Sequence, residues 1–352
     1  MTHPYKSLPN TSFWSRSVAG RPPHELDPVT NTAFQIGPDD KVATAGSCFA
    51  QHIARRLSTS GFNYFVPEVA PEGLDAAEAK ANNYGVFSAR FGNVYTTRQL
   101  LQLFERAYDP SAYRIPAWSL NDRFVDPFRP QIQPNGFASE EELELSRGEH
   151  LTAVRKMFEE LDVLVFTLGL TETWVHRATG AVVPIAPGVA GGEWNPAFYK
   201  FHNLSVAEVV EDLSAFIDML RAVNPKAKVL LTVSPVPLAA TYVDQHVLVS
   251  TVYSKSVLRV AATEVQQAYG NVTYFPSFEI ITATASTHRY YDEDLRNVKE
   301  LGVDHVMRTF FRHMVKGATA PESAREIPDF VRKEAAEAGH VVCDEEAIER
   351  AM

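Results

Sequence analysis

The stretch Lys41-Val-Ala-Thr-Ala45-Gly46-Ser47-Cys48-Phe49-Ala-Gln51 decides how this chain is read. Residues 41–45 read as a short strand, Gly46 permits a tight turn, and Phe49, Ile53 and Leu57 then recur at a spacing of four, the mark of a helix with one apolar face. Arg55 and Arg56 fall on the opposite face. The turn therefore presents a hydroxyl and a thiol, Ser47 and Cys48, at a helix N-terminus, where backbone N–H groups and the helix dipole stabilise anions. Low-pKa cysteines occupy such positions, which makes the turn a candidate nucleophile site; a small buried packing residue is the plain alternative for Cys48.

Outward from this turn, helical patterns alternate with apolar strands. Ser139-Glu-Glu-Glu is a capped helix start, and the helix runs to about Leu161 before Val163-Leu-Val-Phe-Thr-Leu168, a continuous apolar run suited to a buried parallel strand. Ser205 caps a helix to about Val223, Lys228-Val-Leu-Leu-Thr-Val233 is the next strand, residues 254–269 a helix that Ser254 caps, and Val272-Thr-Tyr-Phe275 a fourth strand. The last helix is carried by Val298, Leu301, Val303, Val306, Met307 and Phe310. Such alternation predicts an α/β fold: a three-layer α/β/α arrangement, flavodoxin-like, on a mostly parallel sheet. Ligands bind such sheets beyond the carboxyl ends of the strands, where Cys48, Thr171 and Ser234 fall. The central domain is expected over residues 39–316, preceded by an extended arm (1–38) and followed by a peripheral Ala/Glu/Lys-rich tail (317–352). The Pro- and aromatic-rich stretch 110–138 reads as an irregular insertion.

Composition narrows the function. A chain of 352 residues with 45% hydrophobic content supports a large core, and a net charge of −10 without a basic run argues against a nucleic-acid partner. Two cysteines, Cys48 and Cys343, form no disulfide framework. With no hydrophobic signal core and no apolar run of about 18 residues, a soluble cytoplasmic protein without a membrane span is expected. No metal-type spacing, phosphate loop or dinucleotide glycine pattern appears, so no permanently bound cofactor or metal is expected.

Gly46-Ser-Cys-Phe-Ala50 resembles the signature of the GSCFA-domain family, a bacterial group related to SGNH (GDSL-type) esterases and acyltransferases. Phe166-Thr-Leu-Gly-Leu-Thr-Glu-Thr-Trp174, Thr232-Val-Ser-Pro235 and Ser254-Lys-Ser256 resemble further blocks in the same order, so the resemblance spans about residues 35–315. It implies an SGNH-like fold with Cys48 in the nucleophile position and Ser47 as second choice. For the oxyanion donors the resemblance implies Gly85 and, in the place of an asparagine, Thr171 beside Glu172. The relatives' late Asp-x-x-His block appears as Asp294-Leu-Arg296-Asn297, with asparagine in the histidine position. The candidate bases are then His305, two helical turns beyond Asn297, and His288 on a nearby loop. His52, four residues after Cys48, and His202 are lesser candidates, and Asp294 and Arg296 could orient a base or bind a carboxylate. The expected activity is acyl-ester hydrolysis or O-acyl transfer to a small-molecule or glycan substrate, with acyl-CoA as a possible co-substrate. The alternative is a non-catalytic protein that binds a glycan or a partner in the same cleft.

Overall fold

The structure, a computed structural model, describes residues 3–284, 286–317, 344–345 and 347–348, without the side chains of 287 and 288. Four parallel strands form the central sheet in the spatial order of the chain: β1 (Val42–Gly46), β2 (Val163–Leu168), β3 (Lys228–Val233) and β4 (Val272–Tyr274). Residues 63–65 extend the outer edge of β1, where Val42 N–H donates to Asn63 O at 2.9 Å and Phe65 N–H to Val42 O at 2.9 Å. The chain thus leaves β1 toward one edge and returns on the other side as β2. This reversal puts the end of β1, with Gly46-Ser47-Cys48, at the switch point of a doubly wound sheet.

Alternation along each strand divides the core. Ala43, Leu164, Val229 and Val272 sit in register across the sheet and face α2 (Thr97–Tyr108), α3 (Glu140–Glu160), α4 (Val206–Val223) and α5 (Val247–Ala268). Val42, Val163, Val165 and Leu230 face α1 (Phe49–Thr59) and α6 (Glu300–Met314). Both faces are covered, which explains why the strands read as unbroken apolar runs. The three-layer α/β/α expectation holds.

Local signals placed most helices well. Ser139 Oγ accepts from Glu142 N–H at 3.2 Å, and Ser205 with Glu208 forms a reciprocal capping box. Three regions differ from the sequence reading. Helix α5 begins at Val247, so Ser254 is no cap; it lies mid-helix, and its Oγ accepts from Thr171 N–H at 3.0 Å. Its first turns carry exposed Leu248, Val249 and Val252, which hid its apolar periodicity. The stretch 172–203 forms a small antiparallel sheet, Val182–Val183, Glu172–His176 and Tyr199–Asn203, whose half-exposed polar strands lack a buried-strand pattern. Within 110–138, Trp118–Leu120 and Arg123–Val125 pair as a hairpin. The arm packs on α6, with Ile36 N–H donating to Met314 O at 2.7 Å.

Candidate active site

Gly46 has φ +136°, and a Cβ there would lie 2.3 Å from Thr167 O, so only glycine lets β1 turn against β2. Ser47 N–H then donates to Thr167 O at 3.1 Å, and Cys48 takes the N-cap position of α1. A narrow cleft with a volume of about 10 Å³ lies above the strand ends. Its walls bring together Ser47, Cys48, Tyr95, Gly169, Ser234, Lys255 and Glu345, with Val236, Pro237 and Leu238 on the apolar side. Ser47 and Cys48 are 3% and 6% exposed, so this is a narrow, nearly closed site. The Ser47 hydroxyl is buried with no hydrogen-bond partner among the described residues. Gly169 serves close approach: a Cβ would come within 3.0 Å of Ser47 Cβ and of Tyr95 O.

Two buried charges face this turn. Lys255 donates from Nζ to Gly169 O at 2.6 Å, which fixes its ammonium at the end of β2. Glu345 accepts from Arg296 Nη2 at 3.1 Å and from Ala239 N–H at 3.4 Å. Burial pushes the Glu345 carboxyl above the usual range, against the opposing pull of Arg296 and Lys255. Beside it, Asp344 accepts from Asn93 Nδ2 at 3.0 Å, and its N–H donates to the Tyr95 hydroxyl at 3.0 Å. Burial raises the Asp344 carboxyl to about 6. Asn93 Oδ1 in turn accepts from Gln51 Nε2 at 3.2 Å, which ties this cluster to α1.

The structure distributes the sequence candidates unevenly. Ser47 and Cys48 line the cleft, and Arg296 joins it through Glu345. Gly85 lies on an exposed turn and is not among the cleft walls. Thr171 is fully buried and committed elsewhere: its hydroxyl donates to Asn203 Oδ1 at 2.6 Å. Glu172 clamps the following loop, accepting from Thr241 Oγ1 at 2.5 Å and Tyr242 N–H at 3.0 Å. His202 pairs with Glu208 at 2.6 Å, beside the α4 capping box. Asp294 caps its own turn, accepting from Asn297 Nδ2 at 2.6 Å. His305 has both ring nitrogens engaged, Nδ1 with the Tyr290 hydroxyl and Nε2 with Leu26 O, each at 2.8 Å. Burial lowers its pKa to about 4, so it sits neutral beneath the N-terminal arm. The His52 ring lies tilted against Phe49, with centroids 5.6 Å apart, and burial lowers its pKa likewise to about 4. His288 falls in the one-turn helix Thr287–Tyr290, and its side chain lies outside the described residues, as does Cys343. No histidine lines the cleft among the described residues.

Lys255, Tyr95, Asn93 and Glu345 escaped the sequence reading. Lys255 could have been found, because it shares one face with Leu258 and Ala262. Nothing marked Glu345, since its surroundings read as a peripheral tail. Instead Asp344 and Glu345 are 4% and 8% exposed, held by paired donors rather than by apolar packing. The described residues contain no group of three or more His, Cys, Asp or Glu placed to hold a metal, and no helix long and apolar enough to cross a membrane.

A doubly wound α/β protein that presents a thiol and a hydroxyl at its switch point is the class that fold and site define. The GSCFA family model matches residues 41–310, and the chain belongs to the GSCFA family. No curated protein matches it.

Proposed function

We propose that the protein is an SGNH-like acyl-ester hydrolase or O-acyltransferase that works through a covalent acyl-enzyme on Cys48. The observation that carries this reading is the placement of Cys48 at the switch-point turn, in one cleft with the buried Lys255 and Glu345. Glu345 takes the part that a histidine has in SGNH relatives. Its carboxylate accepts the thiol proton as sulfur attacks the carbonyl carbon; the C–S bond forms and the carbonyl electrons move to oxygen. The Lys255 ammonium and the N–H groups of the first turn of α1 supply positive potential for that oxygen. Collapse breaks the bond to the leaving oxygen or sulfur, which takes the proton back from Glu345. Water or a sugar hydroxyl then attacks the thioester and gives its proton to the carboxylate; as the C–S bond breaks, Glu345 returns that proton to the Cys48 sulfur and the starting state is restored.

A glycan or polysaccharide precursor as acceptor and acyl-CoA as donor suit a cytoplasmic member of this class. The test is intact-mass analysis after exposure to acyl nitrophenyl esters and to acetyl-CoA. Wild type should gain one acyl mass, Cys48→Ala none, and turnover should fall by about 10³-fold or more in the variant. Full activity of Cys48→Ala would end this assignment. The absence of histidine from the described cleft walls favours a second reading, a glycan- or partner-binding protein. That reading wins if neither substrate class gives an adduct or turnover while a glycan binds wild type and Cys48→Ala equally.

A further inference from the structure

We infer that a cavity between α2 and the loop around Phe128 binds a small oxyanion, a carboxylate or phosphate group, with Arg106 as its anchor. Arg106 on α2 is 5% exposed, and its guanidinium carbon stands 3.4 Å from the centroid of the Phe128 ring. Its Nη2 is buried without a hydrogen-bond partner among the described residues. The nearby Asp126 carboxylate is already taken: Oδ2 accepts from Arg129 Nε and Oδ1 from Arg147 Nη2, both at 2.9 Å. Glu68, the other buried carboxylate of this region, accepts from the Arg90 N–H at 2.6 Å and pairs with His150 Nδ1 at 2.7 Å. Four arginines, Arg90, Arg106, Arg129 and Arg147, thus share two buried carboxylates, and Arg106 is the one left without a contact ion pair.

A buried cation without a partner costs several kcal/mol, so a native interior rarely keeps one unless something answers it. Here the answer has room. The cavity beside Arg106 has a volume of about 30 Å³, enough for one small group and no larger ligand, and Arg129, His150, Gln99, Gln102 and Asn93 share its wall. A guanidinium held flat on an aromatic ring offers its fork to two oxygens at once, the geometry that suits carboxylate and phosphate. Burial and the neighbouring Arg147 and Arg129 lower Arg106 only to about 9, with Asp126 opposing, so it remains cationic at neutral pH. Asn93 also donates to Asp344, the chain neighbour of the cleft residue Glu345, so one hydrogen bond links the two sites. The inference does not depend on acyl transfer.

Calorimetric titration of the full chain with inorganic phosphate and, separately, with acetate tests it, at constant ionic strength balanced with chloride. One probe or both should bind saturably at one site per chain and raise the thermal midpoint, and Arg106→Gln should weaken that binding by at least tenfold. Binding of phosphate alone identifies a phosphate site, and binding of acetate alone a carboxylate site. Should Arg106→Gln fail to fold, Arg106→Lys, which keeps the charge but loses the fork, should still weaken binding severalfold. Failure of wild type to bind either probe saturably overturns the proposal, as does unchanged affinity in a folded Arg106 variant.

Discussion

The Cys48 cleft and the arginine cavity, linked by the bond from Asn93 to Asp344 beside Glu345, treat buried charge in opposite ways. In the cleft each ion has an answer: Lys255 is held by a carbonyl, and Arg296 by Glu345. In the cavity four arginines gather round two carboxylates and one guanidinium rests on an aromatic ring. A reacting site needs ions whose fields are fixed but whose protons can move. A recognition site can instead hold one standing charge that only its ligand satisfies.

The contrast breaks first at Asp126. Removing it in Asp126→Ala leaves Arg129 and Arg147 buried without their shared partner, and the expected cost is about 3–5 kcal/mol in urea unfolding. A loss below about 1 kcal/mol would mean that the arginines are hydrated and that the cavity is not a low-dielectric site. Glu345→Gln is the matching change in the cleft. It should reduce turnover by about 10²–10⁴-fold through loss of a proton carrier while unfolding loses about 1.5–3 kcal/mol, because Arg296 keeps an acceptor but loses its counter-charge. Equal losses of activity and stability would make Glu345 structural and erase the distinction. Gly46→Ala addresses the turn itself: a methyl 2.3 Å from Thr167 O and a positive φ should cost about 1–3 kcal/mol by the same unfolding measurement.

The smallest expected effect lies in the pH dependence of stability, because two shifts oppose each other. His305, lowered to about 4 by burial, binds fewer protons folded than unfolded, so its contribution is present near pH 6.5 and lost as pH falls toward 4. Asp344, raised to about 6, binds more protons folded, so its contribution is present near pH 4 and lost as pH rises toward 6. Asp344→Asn should therefore steepen the rise of stability between pH 4 and 6, and His305→Gln should flatten it. Thermal midpoints across that range would show both, and unchanged slopes would mean that neither group is buried as described.

The sheet was legible because doubly covered parallel strands must be apolar throughout, and Val163-Leu-Val-Phe could hardly be anything else. The nucleophile turn was legible too, since Gly46 and the spacing of Phe49, Ile53 and Leu57 report backbone geometry locally. What stayed hidden depends on contacts distant in sequence. Arg106 is one cation in an amphipathic helix until Asp126 is seen to be shared by others. Lys255 shares a face with Leu258 and Ala262, but only the fold shows that its ammonium meets the Gly169 carbonyl beside the turn. Glu345 lies 297 positions from Cys48, and no periodicity spans such a distance.

That last separation governs when the cleft is finished. Synthesis runs through β1 to β4 before it reaches residue 345, so the sheet and its switch-point turn are made in a chain whose pocket still lacks its acid. The sulfur at the turn is then made long before the carboxylate that completes its surroundings. The pocket is complete only once residue 345 has joined a sheet whose strands all precede it in the chain.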